Sequence, residues 1–339
     1  MTFREAMAIA LVLTVTVPFS KAEYNDDSEN NRTGWTPFQF AVWHPIQLFN
    51  EDTDVYGART SLFYGKNRDV YGLDLSLFAN KARNVYGVSI LVFGNELYHG
   101  FLPFDNWHHD ATDTGNVTGI QIGGGLGGAI GILMPYPIIY YAGLTTHARD
   151  MTGLQLSLFG SRARRLKGLQ VAGLITVADE QANGMQFSLL SNKAGGDGAC
   201  WQIALGLNET GEEYRGMKLA LMANYADGDY SGIQMFPLVG NIVRGKSTGI
   251  HLSMLHNRSE SFRGLQLSGL FNYTGNPYGP EKDSAGMQIG AFNVANGNMT
   301  GMQVGAFNYC KQMTGIQVGA LNIIREGQIP VLLGINASF

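Results

Sequence analysis

One segment of the sequence combines the side chains that bind divalent metal ions. The stretch DNWHHDATD places His108, His109 and Asp110 next to one another, between Asp105 and Asp113. Imidazole nitrogens and carboxylate oxygens together suit zinc and related ions. Adjacent side chains point in opposite directions on an extended chain, so these residues could converge only in a turn. A solvated surface loop is the alternative; we assign no metal site and keep His108, His109 and Asp110 as its candidates.

Other motifs that could carry chemistry lack the context they need. Residues 123–128 read GGGLGG, but a nucleotide-binding G-x-G-x-x-G motif requires a following helix, and here AIGILMPYP follows. Asp227 and Asp229 fall short of a calcium loop, so a plain turn is expected. His251 and His256 stand alone, and we expect them to be surface or satisfied core histidines. No catalytic triad or paired carboxylates are recognisable.

The cysteines and the charge exclude further classes. Cys200 and Cys310 are too far apart in sequence for a metal knuckle. Seven repeat units separate them, about 34 Å in a solenoid, which is beyond disulfide reach, so two free thiols are expected. The net charge of −4 and the absence of a basic patch give no reason to expect a nucleic-acid partner. We therefore predict no enzyme activity, no cofactor and no nucleotide or nucleic-acid ligand.

A repeat with a glycine marker organises the chain after residue 55. The next residue is apolar in every unit, the second is glutamine in most of them, and the third is again apolar except for Thr60. This alternation predicts a strand with one buried face. A small residue and a Gly/Asn-rich or charged turn follow, and together they predict a bend and the end of each unit. The markers are Gly57, Gly72, Gly87, Gly119, Gly153, Gly168, Gly184, Cys200, Gly216, Gly232, Gly249, Gly264, Gly286, Gly301 and Gly315.

Two all-β architectures fit these units. A parallel β-solenoid of about fifteen coils of 14–17 residues would stack equivalent glutamines, whose amides could then bond to one another. An antiparallel outer-membrane β-barrel would use each unit as one strand, and the terminal Phe339 is typical of such barrels. The one-unit period favours the solenoid, because a barrel predicts a period of two units.

The chain begins with a segment typical of secretory signal peptides. Arg4 precedes an apolar run of about twelve residues, and Ser20 and Ala22 suit a cleavage site. We predict a signal peptide over residues 1–22, a polar segment over 23–36 and a single β-repeat domain over 37–339. Insertions are expected near residues 95–116, 123–150 and 273–285.

The last repeats, GMQIGAFNVANGN, MTGMQVGAFNYCKQ and MTGIQVGALNIIREG, resemble the bacterial surface-repeat proteins built from tandem Gly-Φ-Gln-Φ-Gly-x-x-Asn units. In the middle of the chain Lys218 and His251 replace the glutamine. The resemblance implies secretion across the inner membrane and placement at the cell surface or outer membrane, and it supplies no catalytic residues.

These observations give three functional hypotheses. The first is a non-enzymatic structural or adhesive surface protein, whose partner is an unknown surface ligand or the outer membrane. The second is an outer-membrane channel for small solutes. The third is a solenoid that binds or cleaves carbohydrate.

Overall fold

The structure, a computed structural model, describes residues 34–77, 79–92, 115–123, 145–276 and 281–338, and every regular element in these residues is a β-strand. The chain divides into two compact units, Met1–Arg149 and Asp150–Phe339. The predicted signal peptide, Phe339 and most of the first two predicted insertions lie outside the described residues. The single domain over 37–339 stays a prediction.

The first unit is built from long strands that pair in parallel. Strand β1 pairs with β3, β3 with β4 and β4 with β5, while the short β2 folds back antiparallel on β1. The strands are β1 (Trp35–Trp43), β2 (Ile46–Gln47), β3 (Asp54–Ser76), β4 (Ala79–Leu91) and β5 (Asn116–Gly123).

The second unit repeats a pair of short strands. The strand that contains the marker stacks on its counterpart in the next coil, and so does the second strand of each coil. After β6 (Thr145–Ser157), the strands are β7 (Gly160–Ala172), β8 (Ile175–Ser188), β9 (Ser191–Ala194), β10 (Gly198–Ala204), β11 (Leu207–Thr210), β12 (Tyr214–Ala220), β13 (Ala223–Ala226), β14 (Tyr230–Met235), β15 (Gly240–Val243), β16 (Lys246–Ser253), β17 (His256–Ser259), β18 (Ser261–Ser268), β19 (Phe271–Thr274), β20 (Ser284–Ile289), β21 (Phe292–Ala295), β22 (Met299–Val304), β23 (Phe307–Cys310), β24 (Met313–Ile324) and β25 (Val331–Ser338).

Equivalent residues of successive coils lie side by side. Cys200 pairs with Gly184 on one side and with Gly216 on the other, and Gln202 pairs with Gln186 in the same ladder. The prediction of a parallel β-solenoid of about fifteen coils is therefore confirmed. The antiparallel barrel is not the architecture of the described coils, because their neighbours run in the same direction.

The marker glycines are required where neighbouring coils approach closely. All fourteen of them have φ between +123° and +146°, a region that residues with a Cβ rarely adopt. A Cβ placed on Gly249 would lie only 2.0 Å from the carbonyl oxygen of Gly232 in the preceding coil. Backbone conformation and coil spacing thus both explain the repeat of glycine.

The buried face of each marker strand carries both amides and apolar side chains. Gln202 has no exposed surface, whereas the apolar residue beside it, Trp201, is 48% exposed. Two positions before the marker, apolar residues such as Tyr214, Phe262 and Met299 are buried as well. The alternation thus identified the strands, but the glutamine side of each strand faces inward and the apolar residues on either side of the glutamine face outward.

The last strand turns back on the solenoid. Strand β25 pairs antiparallel with β24, with Val318 opposite Ile335 and Gln317 opposite Asn336. It covers part of the edge that the final coil would otherwise leave unpaired, an arrangement that protects a sheet edge from further pairing. The chain end that suggested a barrel strand is thus the terminal strand of the solenoid.

Substitution of a marker glycine tests the close approach between coils. Gly249→Ala should lower the free energy of unfolding by more than ~3 kcal/mol, since the added methyl meets backbone rather than a movable side chain. Gly334→Ala is the matched control, because Gly334 has φ +84° but a Cβ added to it would meet no atom within 4 Å. The control should lose only ~1–2 kcal/mol from backbone strain. Urea unfolding measures both, and equal losses would contradict the close approach.

Candidate functional site

The first metal candidates cannot be placed in this structure. His108, His109 and Asp110 lie outside the described residues, as does the GGGLGG stretch after Gly123, which ends β5. Within the described part of the chain, no group of three or more His, Cys, Asp or Glu side chains could hold a metal ion.

Asp227 and Asp229 occupy a charged turn of the second unit. The Asp227 carboxylate accepts hydrogen bonds from Tyr225 Oη and Arg244 Nη1, each at 2.9 Å. The Asp229 carboxylate accepts the backbone N–H of Lys246 at 2.7 Å. Both carboxylates are thus used in contacts within the turn and with the next coil, in agreement with a plain turn rather than a calcium loop.

Two ladders of side-chain amides run through the interior of the second unit, next to buried apolar residues such as Phe262 and Met299. In one, the Nε2 of each glutamine donates to the Oε1 of the glutamine in the preceding coil at 2.7–2.9 Å, as predicted. In the other, each asparagine Nδ2 donates to the next coil at 2.7–3.0 Å, without a break from Asn192 to Asn322. Donation thus runs in opposite directions in the two ladders, and every rung fixes the register of its neighbours.

The glutamine ladder breaks at Lys218, which is fully buried. Its Nζ donates to Thr210 Oγ1 and to the Tyr225 carbonyl, both at 2.6 Å, and lies 4.9 Å from the centre of the Tyr230 ring. Burial lowers the pKa of the amine well below its ordinary value, although the nearby Glu209 opposes this shift. The Lys218 amine is therefore inaccessible to solvent, and its buried position favours the neutral form.

Gln234 lies between the two breaks in the ladder. It pairs in register with Lys218 on one side and with His251 on the other, and neither offers a matching amide. Both amide atoms of the fully buried Gln234 therefore have no hydrogen-bond partner, and Gln202 Oε1 has none either. Buried polar atoms without partners are unfavourable, so this is the weakest part of the ladder.

His251 causes the second break. Its Nε2 lies 2.8 Å from Ser247 Oγ, and its ring contacts Tyr230 and Phe262 edge-on, with centroids 5.9 and 5.8 Å away. Burial, with a smaller effect of Lys218, lowers the pKa of the imidazole to about 3. His251 is thus a core histidine satisfied by Ser247, which is one of the two roles predicted for it.

Both cysteines are free, as expected, and both are buried. Burial raises the pKa of the Cys200 thiol to about 11 and that of Cys310 to about 12. A thiolate is needed for nucleophilic reactions, so neither thiol is activated.

In the first unit, two positions of this column hold an ion pair instead of amides. Arg59 and Asp74 occupy glutamine positions, are both fully buried, and form two hydrogen bonds of 2.7 and 2.5 Å. Arg59 Nη1 also donates to the carbonyl of Lys81 at 2.9 Å. A bidentate pair satisfies both charges, so it maintains register as an amide pair would.

The outer surface of the second unit has a charged edge. Its turns join neighbouring coils through ion pairs such as Arg165–Asp150 at 2.7 Å, Lys193–Glu209 at 2.8 Å and Arg244–Asp227 at 2.9 Å. A shallow depression lined by Asp179, Glu180 and Asp197 lies on this edge. Asp179 and Glu180 pair with arginines there, which makes these carboxylates structural.

The outer surface of the second unit also has an apolar ridge, which lies at the bend between the two strands of most coils. Its members are large apolar residues that are each at least 37% exposed. The ridge consists of Leu158, Phe159, Leu189, Leu190, Leu205, Leu207, Leu221, Met222, Phe236, Leu238, Val239, Met254, Leu255, Leu270, Phe271 and Phe292.

Sequence reasoning missed the ridge, since apolar residues after the bend suggest a core. The signal was the asparagine after the bend: once the asparagines face inward, the apolar residue directly before each of them, such as Leu207 before Asn208, must face outward. Lys218 and His251 likewise carried a signal, because each replaces glutamine at a column position.

Comparisons with known proteins give no relative. No family model matches the chain, and neither a curated protein nor a solved structure does. In the part of the chain that the structure describes, no helix has the length and apolar character needed to cross a membrane.

Acid should destabilise the protein through His251. Because the folded pKa lies below the unfolded value of 6.5, the unfolded chain binds the proton first, so stability falls as pH drops from about 6.5 towards 3. At pH 4.5 the expected loss relative to pH 7.5 is roughly 2–3 kcal/mol. His251→Gln should remove most of it, as measured by urea midpoints. His256 is half-buried, so His256→Gln should remove a smaller part of this acid-induced loss of stability. If the two substitutions removed equal parts, the role of burial would be contradicted.

Lys218→Gln should repair the ladder and remove an alkaline dependence. The new amide can donate to Gln202 and accept from Gln234, so the free energy of unfolding at pH 7 should rise by about 1–4 kcal/mol. In the parent, stability should increase from pH 7 to 10, because the unfolded lysine binds a proton that the folded one does not. The exposed Lys193→Gln is the control and should keep this slope. A loss of stability in Lys218→Gln at pH 7 would contradict the account.

Proposed function

We propose that the protein is a non-enzymatic, secreted repeat protein that acts as a structural or adhesive component of the bacterial cell surface or outer membrane. The observation that carries this proposal is the division of side chains between interior and exterior. Reactive groups such as Lys218, His251, Cys200 and Cys310 are sealed inside, whereas the exterior offers an apolar ridge and a charged edge. Such a body suits contact with other surfaces better than chemistry on a bound substrate.

The parallel ladders support a structural role. Backbone hydrogen bonds and buried side-chain amides connect each coil to the next, so stability accumulates from contacts between nearest neighbours, as in other repeat proteins. The charged turns add ion pairs between successive coils, such as Lys193–Glu209. A scaffold of this kind keeps its outer side chains at fixed spacings along the stack.

The other two hypotheses find less support. The channel hypothesis requires an antiparallel barrel. The described coils instead pair in parallel and enclose buried side chains. Carbohydrate cleavage would use accessible paired carboxylates, and the carboxylates of Asp150, Asp179 and Asp227 are held in ion pairs.

Localisation and adhesion test the proposal together. The full chain, produced in a Gram-negative host, should reach the envelope fraction and be digested when protease is added to intact cells. Cells that display it should attach to a hydrophobic surface several-fold more than cells that produce a variant without residues 1–22, which should stay inside. Retention of the full chain in the cytoplasm, or surface display with no gain in attachment, would contradict the proposal.

A further inference from the structure

Charge is strictly divided around each coil of the second unit. Positions one to seven after the markers Gly153 to Gly315 contain no Asp, Glu or Arg. Lys218 is the one lysine at these positions, and it is fully buried. Acidic residues and the other basic residues lie in the remaining part of each coil, where they form the charged edge. This division gives the solenoid the amphipathic character that is familiar from helices lying in a membrane interface.

From coil to coil, the ridge positions stay apolar, but the size and shape of their side chains change. In the interior, the same columns hold glutamine and asparagine in coil after coil. At the ridge, equivalent positions hold Leu190, Met222, Leu255 and Leu270 in different coils, with glycine at others. A protein partner packs against fixed shapes, with complementarity near that of a protein interior. A fluid hydrocarbon phase needs only apolar side chains, which is what the ridge retains.

The ridge also lacks a polar border along the axis. Interfaces between proteins have an apolar centre within a polar rim. Here exposed apolar residues recur from Leu158 to Phe292, over coils spaced about 4.8 Å apart, and only the coil of Gly168 contributes none within this span. An extended strip of this kind fits a planar apolar phase better than a bounded contact patch.

Phe236 supplies an independent observation. Among the described non-glycine residues it alone has a positive φ, +68°. Its coil has one more residue at the bend than its neighbours, and the ring is 64% exposed. Strained backbone often marks functional sites; here the strained residue projects an aromatic ring outward from the ridge.

We propose that the second unit binds a lipid bilayer through the apolar ridge, with the ridge side chains among the acyl chains and the charged edge in water. This inference rests on the proposed surface role, and it names the lipid surface as the partner. Because the ridge has no exposed cation, attraction to anionic headgroups is not part of the interaction. Binding should therefore require neither anionic lipid nor low salt.

Vesicle flotation with the purified full chain tests this inference. The protein should float with phosphatidylcholine vesicles, and the bound fraction should change less than about twofold in 0.5 M NaCl or with added phosphatidylserine. Leu190→Gln/Leu221→Gln/Met254→Gln should reduce vesicle affinity at least tenfold. The matched triple Lys193→Gln/Arg244→Gln/Lys246→Gln, on the charged edge, should bind like the parent. Circular dichroism establishes that each variant retains its β-structure.

If the triple variant of the ridge fails to fold, the depth of a fluorophore in the bilayer tests the inference instead. A fluorophore on Met222→Cys should be quenched by lipid brominated in the acyl chain, whereas one on Lys193→Cys should not; the native thiols are buried. Protein that stays unbound, or a dimer that buries Met222 instead, would overturn the inference. Protease digestion on intact cells is independent of vesicle binding, so failure here is distinguishable from failure of the proposed function.

Discussion

The structure depends on buried side-chain amides that find their amide partners only in the neighbouring coils. A glutamine side chain such as Gln186 donates both to Gln170 and to the carbonyl of Lys193 in its own coil, at 2.9 and 3.2 Å. A slip of one residue would leave these groups unpaired inside the protein, which is unfavourable. The amide ladders therefore select one register, and the marker glycines allow the coils to approach closely enough for the amides to meet.

The polar interior determines what the exterior can be. In a strand, side chains alternate between the two faces, so turning glutamines inward turns their apolar neighbours outward. Exclusion of those neighbours from water cannot be what organises the coils, because residues such as Trp201 and Leu267 remain 48% and 40% exposed. The protein thus combines a core of amide ladders and buried apolar side chains, such as Phe262 and Met299, with an outer surface that still has apolar area available for binding.

The repeat made much of the fold predictable. The marker spacing, the small residues at the bend and the stacking of glutamines all follow from one-dimensional pattern, because a solenoid repeats its contacts along the chain. The polarity of the interior was harder to anticipate, since hydrophobic patterning normally places residues such as Leu190 inside. Lys218 was recognised as a departure from the motif, but its burial and lowered pKa depend on Tyr214, Tyr230 and Thr210, which only the coil geometry brings together.

The orientation of the strands is the central claim, and cysteine accessibility measures it most directly. Leu265, Gln266 and Leu267 are each replaced by cysteine in separate variants, and each folded variant is treated with a water-soluble thiol reagent. Both native thiols are buried and should not react. The account predicts fast labelling at 267, slower labelling at 265 and protection at 266 until the protein unfolds. Rapid labelling at 266 with protection at 267 would place the glutamines outside and contradict the account.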